Sequence, residues 1–152
     1  MYRGQTALHK ACTFGSTIIV EMLIETALQM HGQGMVEDLL RTEDIEGNTP
    51  LLLAVESGSP EIARCGNITQ PRANILIHAS LFNRLLLRYP VDINHENRNK
   101  MRALHLAAKI GNYECVKLLI GKNAVINCRN NNYRTPMMMA CLFTHEHDKK
   151  GR

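Results

Sequence analysis

The sequence predicts an all-α solenoid, in which short helix-turn-helix units stack side by side with β-turn fingers between them. Three observations carry the prediction. First, Lys100 to Asn130 holds two short apolar segments of helical period, Leu104 to Ile110 and Cys115 to Ile120, parted by Gly111-Asn112. Each segment is too short to be a stable helix alone, so the pair needs neighbours of its own kind. Second, Arg102-Ala103-Leu104-His105-Leu106-Ala107-Ala108 recurs as Thr6-Ala7-Leu8-His9-Lys10-Ala11-Cys12, as Thr49-Pro50-Leu51-Leu52-Leu53-Ala54-Val55 and as Thr135-Pro136-Met137-Met138-Met139-Ala140-Cys141. Third, the step from Arg102 to Thr135 is 33 residues, and Gly15, Gly58 and Gly111 follow three of the matches in phase.

A helix-pair repeat of about 33 residues built on T-P-L-H-x-A is the ankyrin signature. On these residues the chain resembles the ankyrin-repeat family from roughly Gly4 to Phe143. The resemblance implies an ankyrin-repeat solenoid of about five repeats, two of them abbreviated, over residues 1–143. The repeats are expected near 4–43, 44–72, 73–97 and 98–130, with a partial one at 131–143.

Taken in order, Thr6 is placed to cap the first helix, and a second helix is expected from Thr17 through Ile18, Ile19, Val20, Met22 and Leu23. The next template start, Thr49, comes 43 residues after Thr6. The extra residues predict a lengthened second helix, a break at Gly32-Gln33-Gly34 and a further apolar turn from Val36 to Leu40. Asp44 to Asn48 reads as a turn, with Pro50 at the first position of the following helix. That repeat's second helix starts at Ser59-Pro60 and fails over Cys65 to Pro71, where helix breakers replace leucines. A degenerate match, Asn74 to Phe82, follows, then Leu85 to Asn94 as a second-helix end with its exit loop. The repeat from Met101 to Asn127 is the best kept, and Gly121 sits where a glycine ends a helix. The last repeat keeps only its first helix, near Pro136 to Phe143. Residues 144–152 lack an apolar period and read as a disordered tail. Neither end offers the polar outer face of a capping repeat, so a piece of a longer array is expected.

Composition agrees with a packed domain of 152 residues: 45% hydrophobic, 5% aromatic and no Trp. A formal net charge of +4, read as spread along the chain, argues little for nucleic acid or membrane. No apolar run approaches the ~20 residues of a membrane span, and Met1-Tyr2-Arg3-Gly4 is no secretory leader. Five cysteines without a C-x-x-C pair point to a reducing, cytoplasmic setting, so the sequon Asn67-Ile68-Thr69 is expected to go unused.

No residue set points to catalysis. His9 and His105 take the template position where, in the ankyrin family, histidine ties turn backbone together; Leu52 and Met138 replace it elsewhere, which predicts weaker tethering there. Cys12, Cys141 and Cys115 align with small core positions and should be inert. Cys65 and Cys128 fall outside well-kept helices and are the candidates for reactivity. His145-Glu146-His147-Asp148 is a weak metal-like scrap on a solvated tail, and Gly32-Gln33-Gly34 follows no strand, so it is no phosphate loop. No enzyme activity, cofactor or metal is expected.

Binding remains. In a solenoid of this kind the turns form a row of fingers, and the first helices line a concave face. The template puts Lys10, Thr13 and Phe14 on that face, then Leu53, Glu56 and Ser57, then Leu106, Lys109 and Ile110. Finger tips are expected at Asp44 to Glu46, at Asn97 to Lys100 and at Asn130 to Tyr133. The predicted protein-binding residues are Lys10, Phe14, Asn99, Lys100, Lys109, Ile110, Asn131 and Tyr133. Partners are expected to be other proteins or the rest of a longer array, with no nucleic acid and no membrane contact by this segment. His78-Ala79-Ser80-Leu81-Phe82-Asn83 and Val91-Asp92-Ile93-Asn94 are also similar to features of the ankyrin-type transient receptor potential cation channels. That resemblance implies a cytosolic stack ahead of six membrane helices. Leu86 with Asp92-Ile93-Asn94 further resembles the ankyrin context in which an asparagine, here Asn94, is hydroxylated.

Overall fold

The computed structural model describes residues 4–57, 85 and 88–149, with backbone alone for 143–149. Among these residues the regular structure is helical: α1 (Ala7–Thr13), α2 (Thr17–His31), α3 (Gln33–Arg41), α4 (Pro50–Glu56), α5 (Ala103–Lys109), α6 (Tyr113–Gly121) and α7 (Pro136–Lys149). The first helices of successive units, α1, α4, α5 and α7, pack each on the next, while α2 covers α1 and α6 covers α5. This is the expected all-α ankyrin solenoid.

Local chemistry explains the helix starts. Thr6 caps α1 by accepting from the His9 backbone N–H, and the His9 ring answers by accepting from the Thr6 N–H. Pro50 occupies the first turn of α4, where its missing N–H costs nothing. Asn112 caps α6 through Oδ1, which accepts from Cys115 N at 3.1 Å. Gly15 and Gly111 turn the chain between the paired helices with φ of 65° and 68°.

The core is a continuous band of Leu, Val, Ile and Ala that runs through the stack, including Leu8, Leu51, Leu52, Leu104 and Leu119. Leu85, from the stretch read as a second-helix end, is buried in the same band. The lengthened first unit also matches expectation. Gly32, with φ 76°, breaks α2 from α3, and α3 buries Val36 and Leu40.

Two readings need correction. Helix α7 continues to Lys149, past Phe143, where a disordered tail was expected to begin; no Gly or Pro between Pro136 and Lys149 interrupts it. Gly121 lies inside α6, and the left-handed residue that follows the helix is Asn123, with φ 63°. Leu104 on α5 is 3% exposed, and Leu118 on α6 is half-buried. The repeat expected over 73–97 lies in large part outside the described residues, and the described fingers on either side of it are Asp44–Asn48 and Asn97–Met101. Those two fingers bond directly, Arg98 N–H donating to Glu46 O at 2.9 Å. They are therefore neighbours in the stack. Residues 58–84, with 86 and 87, lie outside the described residues, including Cys65, the His78 to Asn83 motif and Leu86.

Candidate protein-recognition surface

Each finger is organised by one side chain at its base. Asp44 Oδ1 accepts from Glu46 N at 2.9 Å and Asn48 N at 2.8 Å. Asn97 Oδ1 accepts from Asn99 N at 3.0 Å and Met101 N at 2.9 Å. Asn130 Oδ1 accepts from Asn132 N and Arg134 N, both at 3.0 Å. An Asp or Asn carbonyl oxygen two residues upstream of a free N–H closes such a turn without a second chain. Asp44 and Asn130 are buried by this work, so the tips are the residues after them. For Asp44, burial works to raise the carboxyl, but the hydrogen bonds from Asn48, Gln5 and Glu46 outweigh it and hold the group below the usual carboxylate range.

The fourth residue of each finger takes a left-handed backbone. Gly4 and Gly47 supply it in the first two fingers, with φ of 63° and 75°, whereas Lys100 and Tyr133 adopt it in the last two, with φ of 53° and 57°. At Gly47 the fit is close as well, because a Cβ there would meet Arg98 N at 3.0 Å.

The template histidines tie fingers to helices. His9 Nε2 donates to Asn48 O at 3.0 Å, and its Nδ1 accepts from Thr6. His105 Nε2 donates to Arg134 O at 3.1 Å, and its Nδ1 accepts from Arg102 N. Burial pushes the His105 imidazole below its ordinary value, against the backbone acceptors that would raise it, so the neutral ring is favoured. Leu52 cannot make the equivalent bond, yet finger 3 is not loose. His95 Nε2 donates to Gly47 O at 2.9 Å, and Asn97 Nδ2 donates to Asn48 Oδ1 at 2.9 Å. His95 thus links the loop ahead of finger 3 to finger 2, a different bond from the one the template position leaves unmade. The reading of the sequence missed it, since the residue lies outside the repeating motif.

The chain matches the family model for ankyrin repeats (three copies) over residues 2–65 and again over 74–148. The protein is an ankyrin-repeat protein. It is similar to the transient receptor potential cation channel subfamily A member 1 homolog of Caenorhabditis elegans, 40% identical over 60 residues, covering 40% of this chain and 5% of the channel homolog. It is 32% identical over 137 residues to alpha-latrotoxin-Lg1a of Latrodectus geometricus, covering 90% of this chain and 8% of the toxin. Against NF-kappa-B inhibitor alpha of Sus scrofa it is 33% identical over 125 residues, covering 82% of this chain and 32% of the inhibitor. The chain therefore spans a small part of the length of these relatives.

On this ankyrin frame the predicted binding residues divide. Lys10, Phe14, Asn99, Lys100, Lys109, Asn131 and Tyr133 are exposed, Phe14 at 78% and Tyr133 at 76%. Ile110 is half-buried against the core, and Asn131 commits its side-chain amide to Arg98 O at 2.9 Å. Leu53, Ser57 and Leu106, expected on the concave face, are buried instead. The two leucines join the core where successive first helices pack, a place Lys10 at the same template position cannot enter.

Burial pushes the Cys12 and Cys115 thiols up to about 12, as expected of inert core groups. Burial also raises Cys128, whose Sγ donates to Val125 O at 3.1 Å, so its position outside a helix does not make it acidic. Cys141 is exposed rather than buried, because no second helix of its own unit covers it among the described residues. Asn94 Oδ1 accepts from Val125 N at 2.9 Å, so its amide bridges two successive exit loops. Among the described residues no three His, Cys, Asp or Glu groups are placed to hold a metal, and no helix is long and apolar enough to cross a membrane.

The net charge of +4 is not spread evenly along the chain, which holds two stretches of opposite sign. Residues 4–57 hold eight Asp and Glu against Lys10 and Arg41, whereas 97–135 hold eight Lys and Arg against Glu114. Just ahead of the second stretch, Glu96 is engaged by Arg102 at 2.7 Å.

Proposed function

We propose that this chain is a non-catalytic, cytoplasmic protein-interaction scaffold whose working surface is the finger row and first-helix face of the units carrying α5 and α7. The observation that carries the reading is the arrangement of fingers 3 and 4. They stand in register, joined by Asn131 N–H donating to Asn99 O at 3.1 Å, and they present Asn99, Lys100 and Tyr133 side by side to solvent. An exposed tyrosine among charged and amide groups has the composition of a recognition patch, since aromatic residues dominate interface energetics. Lys109 and Ile110 extend the patch onto α5.

The test is a titration against a partner first identified by crosslinking from Tyr133. Tyr133→Ala and Ile110→Ala should each weaken binding by more than about 1 kcal/mol, whereas Lys117→Ala, on α6, should change little. The reverse ranking would place the working surface on the convex side.

A second reading is favoured by the 40% identity to the channel homolog over 60 residues: the chain as part of the cytosolic ankyrin array of a transient receptor potential-type cation channel. Sequencing the transcript decides it. Six downstream apolar segments of about 20 residues would support this reading, and an open reading frame without them would end it.

A further inference from the structure

We infer that the partner segment crossing fingers 3 and 4 is a short, acidic stretch of protein. The inference rests on the scaffold reading above and adds the chemistry of what is bound. Three observations carry it.

The first is charge. The tips and flanks of these fingers expose Arg98, Lys100, Arg129 and Arg134, and none of them forms an ion pair among the described residues. The nearest carboxylate in sequence, Glu96, already holds Arg102. Cations brought together without internal partners favour an anionic ligand and speed its encounter.

The second is the backbone. Lys100 and Tyr133 take the left-handed conformation that glycine takes at the same place in fingers 1 and 2. Glycine would be the unstrained choice, so the two fingers give up stability to display an ammonium and a phenol. Strain of this kind concentrates at functional positions.

The third is extent. The next finger in the row is of opposite sign: Glu46 is exposed at its tip and Glu43 lies just before it. A long polyanion such as nucleic acid, laid along the row, would run from the basic fingers into these carboxylates. A short acidic protein segment ends before it meets them. The same change of sign disfavours an Asp- and Glu-rich stretch longer than the two basic fingers.

The experiment is fluorescence anisotropy on the full chain at about 0.15 M ionic strength. The probes are a labelled peptide of alternating Glu and Tyr and an oligothymidylate of equal charge. The parent should bind the peptide about tenfold more tightly than the oligonucleotide. Arg98→Glu combined with Arg134→Glu should weaken peptide binding about tenfold or more. Lys117→Glu combined with Lys122→Glu, on and just after α6, makes the same change in net charge and should shift it less than about twofold. Lys100→Gly supplies the readout that a structural role would not produce: it should weaken the peptide about threefold while raising the unfolding midpoint.

Equal losses in the two double variants would overturn the proposal, since attraction to net charge would then suffice. Tighter binding of oligothymidylate would overturn it in favour of nucleic acid. A parent that ignores the acidic peptide while a crosslinked partner still maps to Tyr133 would reject the acidic chemistry and leave the scaffold reading standing.

Discussion

Lys100 and Tyr133 are where single residues in this protein run against local preference. A non-glycine residue held at φ near +55° costs roughly 1–2 kcal/mol, and glycine there gives back about 0.5–1 kcal/mol through its greater freedom in the unfolded chain. Lys100→Gly should therefore raise stability by about 0.5–1 kcal/mol, read as a higher denaturant midpoint with unchanged slope. A lower midpoint would mean that the lysine side chain supports the fold. His105 makes a second prediction at this scale. Its folded-state value lies below the ordinary one, because burial outweighs the backbone carbonyls of Arg134 and Cys128 that would raise it. A group depressed in this way contributes fully above about pH 6.5 and loses that contribution as pH falls towards its folded value. The thermal midpoint should drop between pH 7 and pH 5, and the drop should be smaller in His105→Gln. Asp44, also depressed, acts in a separate window, with its share lost only below about pH 4.

At the scale of the element, the finger is the unit that repeats most faithfully. Its base residue varies between Asp44, Asn97 and Asn130, yet each offers one carbonyl oxygen to two backbone N–H groups. Asn97 also reaches Asn48 in the next finger. Asn97→Ala would strand those donors and should cost about 1–3 kcal/mol, measured by equilibrium unfolding; Asn97→Asp, which keeps the acceptor, should cost less. A loss below about 0.5 kcal/mol would show that water replaces the side chain. Among the helices, α2 shows what an element leaves to its surroundings. Val20 and Ile24 face the core, while Ile18, Ile19 and Met22 are exposed. Ile19 aligns with Cys115, which is fully covered in its own unit. The template aligns the residues correctly, and a neighbour on one side decides which of them is buried.

Across the whole molecule, stability passes from unit to unit. Leu104, on α5, sits between the helices that pack on either side of it, α4 and α7. Leu104→Ala should cost about 2–5 kcal/mol, a large share of the ~5–15 kcal/mol of an ordinary domain. In a linear array the loss falls first on the units that share the interface. The fingers and helices after residue 97 should thus lose protection in hydrogen exchange before those before residue 57. A melt identical to the parent would refute the packing assigned to Leu104.

Much of this architecture was determined by the residues alone. The template from Thr6, Thr49, Arg102 and Thr135 placed α1, α4, α5 and α7, and the glycines at Gly15 and Gly111 placed the turns, because each depends on groups within a few residues of it. The tethering roles of His9 and His105 were legible for the same reason: the motif encodes the partner's position one repeat away. Tertiary structure decided the rest. Only the contacts of Arg98, His95 and Asn97 with the Glu46 to Asn48 turn showed that fingers 2 and 3 are adjacent. Only packing separated Leu53 and Leu106, which are buried, from Lys10 at the same template position. The candidate surface was legible in its residues but not in its polarity. Spacing along the chain marks which side chains reach a finger tip, whereas the field at that tip is summed over neighbours that only the stack brings together.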